Sequence, residues 1–234
     1  MEHQKLTSND IRTVSRMRMF QKLPANDLQK IISAIHCEQF SPGSDIFKFK
    51  DARSCFIGVL SGWVIVYGHS PNGNLAVLNV LGRGETIGET ALFLDGGLDV
   101  SLKSLDSCRL CIFEQAKINS LMARIPSLAS GMIRAVSWQL RQANNEIVRL
   151  QTLSGEQRLA LFLLESVDSH KNRCSISLPY NKMLIAKRLG MRPESLSRHF
   201  KLLRTFGVKV DNQKIFISDI DFLWSHLRAS SGRH

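Results

Sequence analysis

No stretch of this 234-residue sequence holds about twenty consecutive apolar residues, so nothing in it reads as a membrane-spanning helix. The opening Met-Glu-His-Gln-Lys-Leu-Thr-Ser is polar and no apolar run follows it, so no export signal is read and a soluble, cytoplasmic chain is expected. Cysteine is sparse and odd in number: Cys37, Cys55, Cys108, Cys111 and Cys174 are scattered, which excludes a disulfide framework and predicts reduced, mostly buried thiols. Catalytic motifs are missing as well. There is no serine elbow, phosphate loop or metal-binding helix, and Gly82-Arg83-Gly84-Glu85-Thr86-Ile87-Gly88 is one residue off a dinucleotide loop and lies among strands. An enzyme is not expected. Acid is the scarcer charge, with 20 Asp and Glu against 31 Lys and Arg, a net +11. A basic surplus of that size favours a polyanionic partner such as nucleic acid or anionic membrane.

The distribution of charge separates those partners. Residues 154–234 carry 14 basic against 7 acidic residues, whereas the first 153 carry 17 against 13. Before that basic third the chain changes pattern twice. Residues 8–36 read as short helices, with Asn26 expected to cap one whose apolar face is Leu28, Ile31, Ile32 and Ile35. From Phe40 to Phe113 the pattern becomes short apolar runs cut by glycine: Asp45–Phe49, Cys55–Leu60, Trp63–Tyr67, Leu75–Leu81, Leu98–Leu102 and Cys108–Phe113. Asn72-Gly73 between two of these runs predicts a tight hairpin turn, since such turns need positive φ. A small β-barrel or roll is expected there. After Pro126, Ala129, Ile133, Val136, Leu140, Ala143, Ile147 and Leu150 recur at alternating spacings of four and three, a heptad seam on an otherwise polar helix. A helix with one apolar stripe of that kind suits pairing with a second copy, so a homodimer is expected. The competing reading is a core helix lying on its own domain.

Residues 181–200 have helix-turn-helix spacing. Ala186 is small where two helices cross, Gly190 supplies the turn, and Ile185, Leu189, Met191 and Leu196 make the apolar contact. Pro193 suits the first turn of the second helix, and Gly207 ends it. Leu196, Phe200, Leu202 and Leu203 are expected to face inward, leaving Glu194, Ser195, Ser197, Arg198, Lys201 and Arg204 outward. Val208–Val210 and Lys214–Ile217, either side of Asp211, Asn212 and Gln213, predict a hairpin wing. Such a face suits double-stranded DNA. Arg198 can donate twice to guanine O6 and N7, Glu194 can accept from cytosine N4, and Ser197 permits close backbone approach. Lys187, Arg188, Lys201 and Arg204 are expected on phosphates.

These pieces sit in a wider set: Phe20-x-x-Leu23-Pro24, Phe40-x-Pro42-Gly43, Leu60-Ser61-Gly62-x-Val64, Gly84-Glu85-x-Ile87-Gly88-Glu89, Pro126, Arg158-Leu159-Ala160, Leu178-Pro179 and Glu194-x-x-Ser197-Arg198. Together they resemble, nearly end to end, the Crp/Fnr family of the cyclic AMP receptor protein and the fumarate and nitrate reduction regulator. The resemblance implies an α+β chain: a cyclic-nucleotide-binding-type β-roll (a double-stranded β-helix) at 1–125, a dimerisation helix at 126–153 and a winged helix-turn-helix at 154–234. It implies RNA polymerase as a partner. Glu194, Ser197 and Arg198 look like the recognition triad of the fumarate and nitrate branch, implying a TTGAT-N4-ATCAA target. Two positions depart from the pattern: Arg192 stands where a Thr or Ser cap is usual, with phosphate contact as its expected role. His199 stands where an apolar residue is usual, and a partly buried imidazole is expected.

The sensor's ligand is less defined. Members of the family that bind cyclic AMP clamp its phosphate with an Arg-Ser pair, but the aligned positions here are Asp99 and Val100. A carboxylate repels a phosphate, so ordinary cyclic AMP control is not expected; Gly88, Glu89, Asp99, Val100 and Asn144 are the candidate effector pocket, and the competing reading of Gly88 and Glu89 is the turn they make. Positions that would touch a base align with Ala143 and Asn144, of which only Asn144 can hydrogen-bond. The iron–sulfur branch carries an N-terminal cysteine cluster, but no cysteine precedes Cys37, so that cluster is disfavoured. Haem stays open through His36, His69, His170 or a cysteine, as does a cyclic nucleotide. Cys108-x-x-Cys111 in a strand places its thiols on opposite faces, which suits core cysteines better than a metal or redox pair. The competing functional class is a cyclic-AMP-binding signalling module without DNA activity, which leaves the basic helix-turn-helix without purpose.

Overall fold

The computed structural model describes residues 5–48, 55–94, 99–167, 173–177, 181–211 and 214–230. The chain divides into two compact units, Met1–Gln142 and Ala143–His234.

The first unit opens with α1 (Ser8–Arg16) and α2 (Ala25–Ile32). A capping box starts α1: the Thr7 hydroxyl accepts from the Asp10 N–H at 3.2 Å, and the Asp10 carboxylate accepts from the Thr7 N–H at 2.8 Å. Asn26 does not cap α2. Pro24 occupies that position and Asn26 lies inside the first turn, because the preceding proline already sets an extended backbone. Eight strands follow: β1 (His36–Phe40), β2 (Asp45–Phe47), β3 (Cys55–Ser61), β4 (Val64–His69), β5 (Leu75–Leu81), β6 (Thr86–Ile87), β7 (Val100–Ser104) and β8 (Cys108–Glu114). They form two four-stranded antiparallel sheets, ordered β1-β8-β3-β6 and β2-β7-β4-β5, which is the expected roll. Phe49 and Leu98, at the ends of two expected strands, lie outside the described residues. The β4–β5 hairpin is wider than a two-residue turn. His69 pairs with Leu75, and Gly73, at φ +78°, donates its N–H to Ser70 O at 2.9 Å.

Two cores result from strands buried on both faces. Phe56 and Leu60 of β3, with Cys111 and Phe113 of β8, join a core built with Val14, Met17 and Phe20. Ile57 and Val59, with Cys108, Leu110 and Ile112, join a second core with Val64, Val66 and Leu102. The period-two alternation of a strand accounts for the division. Cys108 and Cys111 therefore occupy different cores, as expected from their spacing.

The unit ends in α3 (Gln115–Arg124) and the start of α4 (Pro126–Thr152). Leu128, Gly131, Met132 and Ala135 form the stripe of α4 that enters the first core. Gly131 permits this approach, since a Cβ there would lie 2.1 Å from Met19 O. The seam residues one position further on lie about 100° around the helix from that stripe.

The second unit continues α4 into α5 (Gly155–Glu165), β9 (Cys174–Ser177), α6 (Lys182–Arg188), α7 (Pro193–Leu203), β10 (Val208–Asp211), β11 (Lys214–Ile217) and α8 (Ile220–Ser230). Its sheet is antiparallel, ordered β10-β11-β9. The wing is present as β10 and β11, paired from Val208↔Ile217 to Asp211↔Lys214. Asn212 and Gln213 at its tip, Leu178-Pro179 and His170 lie outside the described residues. No helix among the described residues is long and apolar enough to cross a membrane.

Gly131→Ala is expected to destabilise the first unit by about 1–3 kcal/mol through overpacking against Met19, although alanine is the better helix former. Urea unfolding followed by tryptophan fluorescence checks this; unchanged or raised stability would show that the Met19 backbone yields without cost.

Candidate nucleic-acid interface

The second unit presents its basic face through α6 and α7. Asn181 caps α6, its side chain accepting from the Leu184 N–H at 3.0 Å. Gly190 takes φ +63° after Leu189, and the Met191 N–H donates to Ala186 O at 2.9 Å, closing the turn. Ala186 and Leu196 are fully buried between the helices, with Ile185 and Leu189 beside them. A larger side chain at Ala186 would force α6 and α7 apart.

Arg192 is the residue before α7, extended in backbone and making no side-chain cap, with Pro193 in the first turn. The early N–H groups of α7 are thus left without a side-chain acceptor from that position, beside an exposed guanidinium. Leu196, Phe200 and Leu203 form the inward stripe. Leu202 does not join it and is 46% exposed. At 3.6 residues per turn it lies about 100° from Leu203 and farther from Phe200, off the stripe. The place next to Leu196 and Leu203 on that stripe belongs to His199 instead.

Outward, Glu194, Ser197, Arg198, Lys201 and Arg204 are exposed and Ser195 is half-buried. Lys187 is exposed at the end of α6. Arg188 is half-buried, its guanidinium 5.5 Å over the Phe162 ring, which holds it against α5. The wing adds two exposed cations absent from the sequence-derived site, Lys209 and Lys214. Strand alternation carries that signal: Val208 and Ile215 are buried, which turns their neighbours outward.

Of the sensor candidates, Gly88, Glu89, Asp99 and Val100 lie on the first unit, and Ala143 and Asn144 open the second. Gly88 has φ +100°, and a Cβ there would lie 2.4 Å from Cys55 O, so the turn itself demands glycine. Glu89 is 1% exposed. Its Oε1 accepts from the Thr86 hydroxyl at 2.6 Å, and its Oε2 has no hydrogen-bond partner among the described residues. Asp99 is exposed and Val100 begins β7, paired with Gly68. The Asp99 side chain brings a cyclic phosphate acceptor oxygens and not the donors of an Arg-Ser pair, so these residues do not fit a clamp for that group. Ala143 and Asn144 are exposed on α4. His36 lies 3.5 Å from Glu38, and His69 bonds the Ser101 hydroxyl at 2.6 Å. Burial pushes the Cys108 thiol up to about 11 and raises those of Cys37 and Cys111, so these thiols are protonated at neutral pH. No group of three or more His, Cys, Asp or Glu side chains suited to a metal occurs among the described residues.

His199 is half-buried against the start of α5, where a Cβ on Gly155 would lie 2.6 Å from its Nε2. Its Nδ1 is buried without a partner among the described residues. Burial lowers its pKa below 6.5; Glu156 opposes the shift, while Arg198 and Arg158 add to it. The unfolded chain therefore binds this proton more readily than the folded one, so the stability is present above pH 6.5 and is lost as pH falls through the folded value. His199→Leu is expected to flatten the loss of stability between about pH 7 and pH 5 measured by urea titration. An unchanged pH slope would assign that loss to other groups.

Comparison with known proteins agrees with both units. Residues 37–125 match the cyclic nucleotide-binding domain and residues 157–225 the Crp-like helix-turn-helix domain. The nitrogen fixation regulation protein FixK of Bradyrhizobium diazoefficiens is 27% identical over 172 residues, 72% of this chain and 71% of its own. The CRP-like cAMP-activated global transcriptional regulator of Mycobacterium tuberculosis is 20% identical over 215 residues, 90% of this chain and 96% of its own. A Ruegeria pomeroyi crystal structure named for cyclic nucleotide binding is 30% identical, covers 94% of this chain and 97% of its own, and superposes with a TM-score of 0.67. With a β-roll of that domain type followed by a basic helix-turn-helix, the chain belongs to the Crp/Fnr family of DNA-binding transcription regulators, and not to an enzyme family.

Proposed function

We propose that the chain acts as a cytoplasmic homodimer that reads a TTGAT-N4-ATCAA-like palindrome and answers to a ligand of its β-roll. The observation that carries this reading is the outward face of α7, where Glu194, Ser197, Arg198 and Lys201 are exposed over a buried Leu196, Phe200 and Leu203. Arg198 reads guanine, Glu194 cytosine, and Ser197 lets the backbone approach. Arg192, Lys187, Lys201 and Arg204 take phosphates, with Arg192 next to the uncapped start of α7. Ser195 sits beside them on the same helix. Arg188 has a smaller part, since Phe162 already holds it. RNA polymerase is the protein partner that a regulator of this family works through.

Pairing rests on the α4 seam. Ile133, Leu140, Ile147 and Leu150 are 68%, 62%, 52% and 48% exposed in the single chain, Ala143 is exposed, and Ala129 and Val136 are half-buried. Aliphatic side chains repeating at heptad spacing with that exposure support a second α4 lying along them. Two-fold symmetry then places two copies of α7 on a palindrome. In this reading residues 1–125 sense, 126–153 pair the copies and 154–234 bind DNA. The sensor's ligand is not cyclic AMP held by its phosphate, given Asp99 in place of a donor; haem with nitric oxide, or another small molecule, is the class to test against the roll's Gly88 and Glu89.

An electrophoretic shift with TTGAT-N4-ATCAA and a scrambled control at moderate salt tests the reading, with preference for the palindrome expected and equal affinity fatal to it. Arg198→Ala is expected to cost about 1–3 kcal/mol and to relax selection at one base pair of each half-site. Leu140→Glu should give a monomer by sedimentation and weaken palindrome binding on the order of a hundredfold through lost bivalency; a dimeric Leu140→Glu variant would remove α4 as the interface.

A further inference from the structure

Arg158 lies away from the outward face of α7, on α5, and makes two contacts that join separate parts of the second unit. Its Nη1 donates to Leu153 O at 2.9 Å, and its Nε donates to Leu189 O at 3.2 Å. Leu153 is the residue between the end of α4 and Ser154, the cap of α5. Leu189 closes α6 immediately before Gly190, so its carbonyl belongs to the turn of the helix-turn-helix. One planar guanidinium thus bonds both the α4–α5 junction and the turn that orients α7, a task suited to its rigid fork of donors.

Two further contacts make the junction stiff. Arg149 on α4 donates to both carboxylate oxygens of Glu165 at the far end of α5, one of these bonds at 3.0 Å. Leu150, the last seam residue, reaches the turn itself, its Cδ2 3.7 Å from where a Cβ on Gly190 would lie. So α5 is tied to α4 at both ends, and the turn is tied to α5 and α4 together.

We propose that Arg158 is a positioning residue for DNA recognition, fixing the direction of α7 against the end of α4 and so setting the spacing between half-sites that the dimer accepts. This rests on the palindromic dimer proposed above. In a two-fold dimer the ends of the paired helices are the common reference for both copies of α7. Each base pair added to a spacer turns one half-site by about 34° and moves it about 3.4 Å. Rigidly held recognition helices cannot follow that change; loosely held ones can.

The test starts by selecting duplexes from a random pool with the wild-type protein, then measuring affinity for the selected palindrome with its spacer unchanged, one base pair shorter and one longer. Wild type should prefer the selected spacer by about tenfold or more. Arg158→Met should reduce that preference to about threefold or less with the same half-site sequence preferred. Arg158→Lys, which keeps the charge and stem but not the fork, gives the same readout if the methionine variant does not fold. A variant that is merely less stable weakens all three spacers in parallel, and that result overturns the proposal, as does full wild-type discrimination in the variants. Selection of unpaired half-sites by wild-type protein would overturn the dimer reading itself, before any Arg158 variant is measured.

Discussion

The helix α4 is asked to be apolar in two directions, and most of the architecture follows from that constraint. Its Leu128, Gly131, Met132 and Ala135 stripe is covered by the first unit's own core. Its second stripe, led by Ile133 and Leu140, is largely exposed among the described residues. Burial of apolar surface is the dominant favourable term in folding and association. The first stripe is therefore a folding interaction, and the second supports an association interaction made by the same helix. Gly131 is the hinge of this arrangement in a chemical sense, because only the absence of a Cβ lets the first stripe approach Met19 O.

Much of the roll was legible because its strands announce themselves as apolar runs cut by glycine; Cys55–Ser61 and Leu75–Leu81 were found within a residue. β1 was not, since His-Cys-Glu-Gln-Phe offers only Cys37 as a buried side chain and lies at a sheet edge. β6 has two residues, too short for alternation to register. The hairpin at Asn72-Gly73 was found, but its loop is longer because the Ser70 N–H closes it on Asn74 O. Leu202 is as apolar as Leu203, and helical angle, which hydrophobicity does not carry, turns it outward.

The outward side chains of α7 were legible because the Leu196, Phe200, Leu203 stripe fixes the opposite face. Arg188 was only half legible: its place at the end of α6 suggests a phosphate contact, yet Phe162 sits in another helix and nothing local announces it. Arg158 was missed as a structural device for the same reason. Its acceptors are backbone carbonyls, one of them 31 residues away, and any residue type supplies a carbonyl. The sensor is the least legible part. Glu89 looks like a turn residue in sequence, but in the fold one buried oxygen lacks a partner among the described residues, a state that costs about 1–3 kcal/mol where no donor satisfies it. A ligand that brings such a donor would bind with that much in its favour.

The division of Cys108 and Cys111 between two cores has a use of its own. Cys111 looks into the core that α4 helps build, and Cys108 into the core between the sheets, while Cys174 stands half-buried in the other unit. With no disulfide among them, each thiol becomes reactive only when its own surroundings open. The chain thus carries built-in chemical clocks at separate depths. The order in which they take up a thiol reagent would record which layer of the molecule loosens first when DNA or a ligand is withdrawn.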